Sequence, residues 1–153
     1  MKFRACCVCV LVLSTASPAI SATGPVLFEG TIAAACTLSV TQNGALDVST
    51  DLQTLSSHVG SGTPGSVTLV TTGGVQVSVD PVTVVTPPPG DSPTTWLPTY
   101  LTSGATNFAE GAAANTISGP GQSTVTVHLA GTKSGPDRFA AGYYSATVTV
   151  RCE

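Results

Sequence analysis

The chain has 153 residues, a formal net charge of −3, 42% hydrophobic residues and only 8% charged ones. So few ions leave a helical bundle without the Glu, Lys and Arg that solvate its outer faces, and five basic residues against eight acidic ones cannot neutralise nucleic-acid phosphates. Frequent Val- and Ile-bearing segments at low net charge exclude disorder, and the length fits one domain with a sizeable core.

In chain order, the first residues read as a secretory leader. Lys2 and Arg4 form a positive start, residues 5–13 are an apolar run, and residues 14–22 are small and turn-prone with Pro18 before a cut after Ala22, with Ala19 nearly as acceptable. The apolar run falls well short of the ~20 residues that span a bilayer. Cys6, Cys7 and Cys9 lie within or before it, not after it where a lipid-modified cysteine sits. The expected organisation is therefore a signal peptide over 1–22 and a single domain over 23–153, with no membrane span in the mature form. Cleavage leaves about 131 residues with a charge of about −5.

Two cysteines remain, Cys36 and Cys152, separated by 116 positions. In an oxidising compartment they most simply form one disulfide. A reactive thiol or a metal ligand is the alternative, but no CxxC pair exists and His58 and His128 stand in unrelated contexts.

From Val26 the alternate positions read Val26, Phe28, Gly30, Ile32, Ala34, Cys36, Leu38 and Val40, with Glu29, Thr31, Thr37 and Ser39 between them. Period two predicts a half-buried strand with Phe28, Ile32, Cys36, Leu38 and Val40 on the inner face. The other end mirrors it: after Ala141-Gly142, Tyr144, Ala146, Val148, Val150 and Cys152 alternate with Tyr143, Ser145, Thr147, Thr149 and Arg151. Parity points both sulfurs inward and makes the two terminal strands expected neighbours; a one-residue slip would turn either cysteine outward.

Between the ends, a short strand is predicted at 45–48 after Asn43-Gly44. Another covers 66–71, and Thr72-Gly73-Gly74 predicts a tight hairpin that returns Val75, Val77 and Val79 against Val67 and Leu69. Val82 and Val84 follow Pro81, and Pro87-Pro88-Pro89-Gly90-Asp91 is a stop. A strand over 95–101 carries Trp96 as the large aromatic anchor, with Pro98 moving it towards an edge. Residues 103–121 read as loop with at most one short strand. Residues 123–129 form a strand with Val125, Val127 and Leu129 inward and Thr124, Thr126 and His128 outward. Leu38, Trp96, Val125, Val127, Tyr144, Val148 and Val150 are the expected core anchors. Seven or eight short strands with turns at regular spacing define an all-β, two-sheet antiparallel sandwich.

Catalysis has little to work with. There is no GxSxG, no HExxH and no Gly-rich phosphate loop followed by Lys. His58 reads as a solvated loop residue and His128 as a surface residue. The acids Glu29, Asp47, Asp51, Asp80, Asp91, Glu110 and Asp137 are dispersed. Asp47 and Asp51 could share a calcium, but two carboxylates without further oxygen ligands at defined spacing are a weak signal, and turn capping and solubility explain them better. No enzyme activity, cofactor or metal is expected. Tyr143, outside by parity, leaves a carbohydrate surface open as a reading.

Residues 26–38, VLFEGTIAAACTL, resemble the opening of chaperone–usher pilin subunits, and residues 141–150, AGYYSATVTV, resemble the closing strand of that group and of the spore coat protein U-like secreted proteins. The resemblance implies an immunoglobulin-like sandwich lacking one strand. Its open groove is filled first by a periplasmic chaperone, which works with an usher, and then by the N-terminal extension of the next subunit, in a homo-polymer or with other pilus subunits. That is β-strand addition, repeated head to tail into a fibre on the cell surface. Val26, Phe28, Gly30 and Ile32 are the residues that would serve as donor. Only Thr23, Gly24 and Pro25 precede them after a cut at Ala22, so donor and first strand compete for the same residues. A self-contained exported sandwich that binds a glycan or a protein remains the alternative.

Overall fold

The computed structural model describes residues 20–153, so the expected leader lies, up to residue 19, outside the described residues. Met1–Thr31 and Ile32–Glu153 form two units. In the first, residues 20–31 are exposed and belong to no strand. The second carries twelve strands: β1 (Cys36–Gln42), β2 (Asp47–Val48), β3 (Thr54–Ser56), β4 (Gly65–Thr71), β5 (Val75–Val79), β6 (Val84–Thr86), β7 (Thr95–Gly104), β8 (Phe108–Gly111), β9 (Asn115–Ile117), β10 (Gly121–Thr132), β11 (Ser145–Thr147) and β12 (Val150–Cys152). Among the described residues no helix is long and apolar enough to cross a membrane.

β10 is the spine of the larger sheet. On one side it pairs β4 through residues 121–127 and β3 through residues 130–132; on the other it pairs β7 along residues 95–104. β1 extends the sheet beyond β4, β2 beyond β3 and β8 beyond β7. A second sheet has the order β12-β5-β9, and β11 pairs β6 in a two-stranded ladder. Every pairing is antiparallel. The core lies between the two larger sheets: Val67, Leu69, Tyr100 and Val125 from one meet Val75, Val77, Val79 and Ile117 from the other. The protein is an all-β antiparallel sandwich, as its strand alternation requires. Each fully buried Val or Leu contributes on the order of 1.5–3 kcal/mol relative to exposure.

Tyr100 is the buried aromatic of this core. Its hydroxyl shares one proton between the carbonyls of Val77 (2.8 Å) and Ala113 (3.0 Å) and accepts from Asn115 Nδ2 (2.8 Å), so one side chain stitches β7 to the facing sheet. Trp96, the expected anchor, is only half-buried. It stands opposite Gly131 in the β7–β10 ladder, where a Cβ would meet its ring at 2.7–2.9 Å. Pro98 faces Leu129 in a part of β7 without a second neighbour, because β8 pairs only from Tyr100 onward.

Four expectations need correction. The hairpin predicted at Thr72-Gly73-Gly74 is a crossover: β4 and β5 belong to different sheets. Gly73 (φ +89°) and Gly74 (φ +70°) turn the chain from one layer to the other, and a Cβ on Gly73 would lie 2.6 Å from the Ser118 carbonyl oxygen. The first strand, expected from Val26, begins at Cys36. Its partner β4 ends where Thr71 faces Cys36, and beyond that point only the Thr71 hydroxyl and Thr72 hold the chain, through bonds to Ala33 and Ala35. Alternation without a partner strand makes no ladder. The closing strand is likewise broken, with β11 on β6 and β12 on β5, and residues 103–121 hold two strands, β8 and β9, instead of at most one.

Candidate functional site

The disulfide joins Cys36 of β1 to Cys152 of β12, with Cα atoms 6.4 Å apart. Both cysteines are half-buried against the core. The terminal strands therefore meet as expected, but across the sandwich, from opposite sheets, and not as ladder partners.

Beside this junction lies an open groove of about 840 Å³. Leu38 and Val40 of β1, Val67 of β4, Val127 and Leu129 of β10, and Val148 and Val150 near the C-terminus line it. Its origin is local. β12 and β11 are short and each has one strand neighbour, as has β1, so the inner faces of β1 and β10 run out beyond the sheet that covers their other halves. Val40, inward by parity, is consequently 70% exposed, while Leu38, Val127, Val148 and Val150 are half-buried at the margin of the core. Val125, deeper in the sandwich, has no exposure. The outer edges of β1, β11 and β12 present unpaired backbone groups, which is the feature that accepts another strand. Tyr143, 78% exposed, stands at the groove's rim.

The donor candidates Val26, Phe28 and Ile32 are 75%, 89% and 83% exposed, and Gly30 is exposed with them. None belongs to a strand. Large apolar side chains in regular alternation along an unpaired segment are costly to leave in water.

Tyr144, also predicted as core, belongs to a satellite cluster instead. Its ring meets Phe139 edge-on at 5.4 Å and its hydroxyl donates to the Ala140 carbonyl. Beneath it Lys133 Nζ and Asp91 Oδ2 form a buried ion pair at 2.6 Å, with Lys133 also 4.7 Å from the Phe139 ring centroid and donating to the Ser92 carbonyl. Burial pushes the Asp91 carboxyl up, but hydrogen bonds from Lys133 and the Ala140 N–H, with the Lys133 charge, outweigh it and hold the group below the ordinary range. Burial and the neighbouring Asp91 push the Tyr144 hydroxyl up to about 12.

His58 and His128, unrelated in sequence, lie together: their rings stack at 3.8 Å with an interplanar angle of 12°. His58 Nε2 is 2.9 Å from Glu110 Oε1, and Thr99 Oγ1 donates to the same oxygen at 2.5 Å. The Thr99 hydrogen bond leads in holding the Glu110 carboxyl below its ordinary value, while burial, with the His58 charge, depresses His128. Among the described residues, His58, Glu110 and His128 form a group that could hold a metal ion. Seventy positions separate the two histidines, so no spacing rule reveals them; only the β3–β10–β7 pairing does. Asp47 and Asp51 cap their own turns, Asp47 accepting from Val48 N, Ser61 N and Ser61 Oγ, and Asp51 from Ser49 Oγ and Gln53 N.

Comparison with family models, with curated proteins and with solved structures finds no match to this chain.

Proposed function

We propose that the protein is an exported structural subunit of a surface fibre or coat, resembling the chaperone–usher pilins, and that its copies join by strand exchange. The segment from Val26 to Ile32 of one copy enters the groove of the next, with Val26, Phe28 and Ile32 as alternate side chains against Leu38, Val127 and Val148, and Gly30 where the approach is closest. Backbone bonds to the open edges of β1 and β12 supply affinity and the pockets supply register. Because donor and acceptor are different surfaces, the contact does not close on itself and propagates into a fibre. Before assembly a periplasmic chaperone, delivering the subunit to an usher, covers the same groove. The observation that carries this reading is the coexistence, in one chain, of an apolar groove between single-neighbour strands and an exposed segment of matching alternation.

Unheated gel electrophoresis and size-exclusion chromatography of the purified protein test it. Strand exchange yields a ladder that survives detergent. Deleting residues 23–32 collapses it to a monomer, which then binds one synthetic peptide of that sequence. A full-length protein that refolds as a monomer, with a deletion variant that ignores the peptide, overturns the reading.

A second reading follows from the rim. Tyr143, exposed beside the groove, offers an aromatic face of the kind that packs on a sugar ring. Under that reading the domain is a self-contained binding module for a glycan or a protein, and it stays monomeric.

A further inference from the structure

The geometry points to a binding site for an imidazole-preferring divalent transition metal, of the zinc and copper class, formed by His58, Glu110 and His128 on the face of the larger sheet. The three side chains come from separate elements: the turn after β3, strand β8, and the middle of β10. One candidate ligand atom from each falls within 4.8 Å of the others. The 2.9 Å between His58 Nε2 and Glu110 Oε1 is close to the separation of two ligands on one ion: donors each about 2.0–2.1 Å from a shared zinc stand about 3.0–3.4 Å apart. Binding an ion replaces the His58–Glu110 hydrogen bond and requires the stacked imidazoles to turn apart, so that a His128 nitrogen shares the same centre.

The supports around the three ligands are those a metal site uses. Ser57 Oγ lies 3.1 Å from His128 Nδ1 and is itself held by the Leu129 N–H at 3.1 Å. With Nδ1 engaged, Nε2 is left to coordinate. Thr99, the cross-strand partner of His128, donates to the Glu110 carboxylate and fixes its orientation. Partners of this kind fix ring orientation and ligand basicity. The chain contains only two histidines, and the fold stacks them on one another beside a carboxylate. Two nitrogens and one carboxylate suit zinc, copper or nickel and not the hard oxygen-seeking calcium or magnesium. His58 and Glu110 keep 46% and 35% of their side-chain surface exposed, so an ion reaches the site from solvent and retains an open position for water or for a ligand from a partner.

Isothermal titration of Zn²⁺ into the purified protein, prepared without a histidine tag, tests this. One ion binds per chain, and millimolar Ca²⁺ or Mg²⁺ does not displace it. His58→Ala, an exposed position whose loss leaves the fold intact by circular dichroism, weakens binding at least tenfold, as do His128→Gln and Glu110→Gln. In the NMR spectrum Zn²⁺ shifts the imidazole resonances of both histidines together. Absence of saturable one-to-one binding, or a His58→Ala variant that binds as the parent does, overturns the assignment. It stands or falls independently of strand exchange, since no step of the titration involves a second copy.

Discussion

Cys36 and Cys152 stand 116 residues apart in sequence and 6.4 Å apart at their Cα atoms, one on each of the two packed sheets. The bond thus ties the first strand of one layer to the last strand of the other, beside the groove. Closing so long a loop restricts the unfolded chain by an amount worth about 2–5 kcal/mol. Urea unfolding with and without reductant measures it: the reduced protein unfolds at a clearly lower midpoint, and equal midpoints refute the prediction.

The side chains of Lys133 and Asp91 are 0% and 1% exposed. Lys133→Met leaves a buried carboxylate without its cation and costs about 3–5 kcal/mol, whereas Lys133→Met with Asp91→Leu restores much of the loss, because neither charge then needs solvation. A double-mutant cycle by chemical denaturation separates the pair from its burial.

The same pair predicts a pH dependence. Asp91 titrates lower in the folded protein than its unfolded value of 3.8. The unfolded chain therefore binds the proton first, and this contribution is present above that value and lost as pH falls below it. The urea midpoint declines below about pH 4, and the double variant loses that part of the decline. An identical acid limb in both proteins would count against it.

Tyr100→Phe removes a hydroxyl that serves Val77, Ala113 and Asn115 in the core. The buried partners left behind make the change cost about 1–3 kcal/mol, although the ring's volume is kept. Equilibrium unfolding reads this directly, and a variant as stable as the parent would show that water replaces the hydroxyl.

Gly131→Ala places a methyl where the Trp96 ring lies, at 2.7–2.9 Å. The backbone cannot give, so the indole swings outward at a cost of about 1–3 kcal/mol. Trp96 is the single tryptophan, so a red shift and loss of fluorescence intensity report its displacement alone. An unchanged spectrum would mean the ring moves within its pocket.

Alternation in Gly65–Thr71, Val75–Val79 and Gly121–Thr132 marked strands and their inner faces correctly, since side chains on a pleated strand point to opposite sides whatever the partner is. The same alternation over residues 26–35 did not become a strand, because pairing depends on where β4 ends. β8 and β9 were hidden in an Ala-, Gly- and Asn-rich stretch whose residues extend only because β7 and β5 offer them open edges.

Composition and local period were enough to establish an all-β sandwich with inward cysteines at its ends, because backbone geometry ties side-chain direction to position in the strand. Which strands became neighbours was not written locally. Gly73 and Gly74 permit a hairpin and a crossover alike, and the choice fell to the packing of Val75, Val77 and Val79 against Tyr100 and Leu69. That crossover, by placing β1 and β12 on opposite layers, also opened the groove, and the pairing of β10 with β3 and β7 brought His58, Glu110 and His128 together from distant parts of the chain.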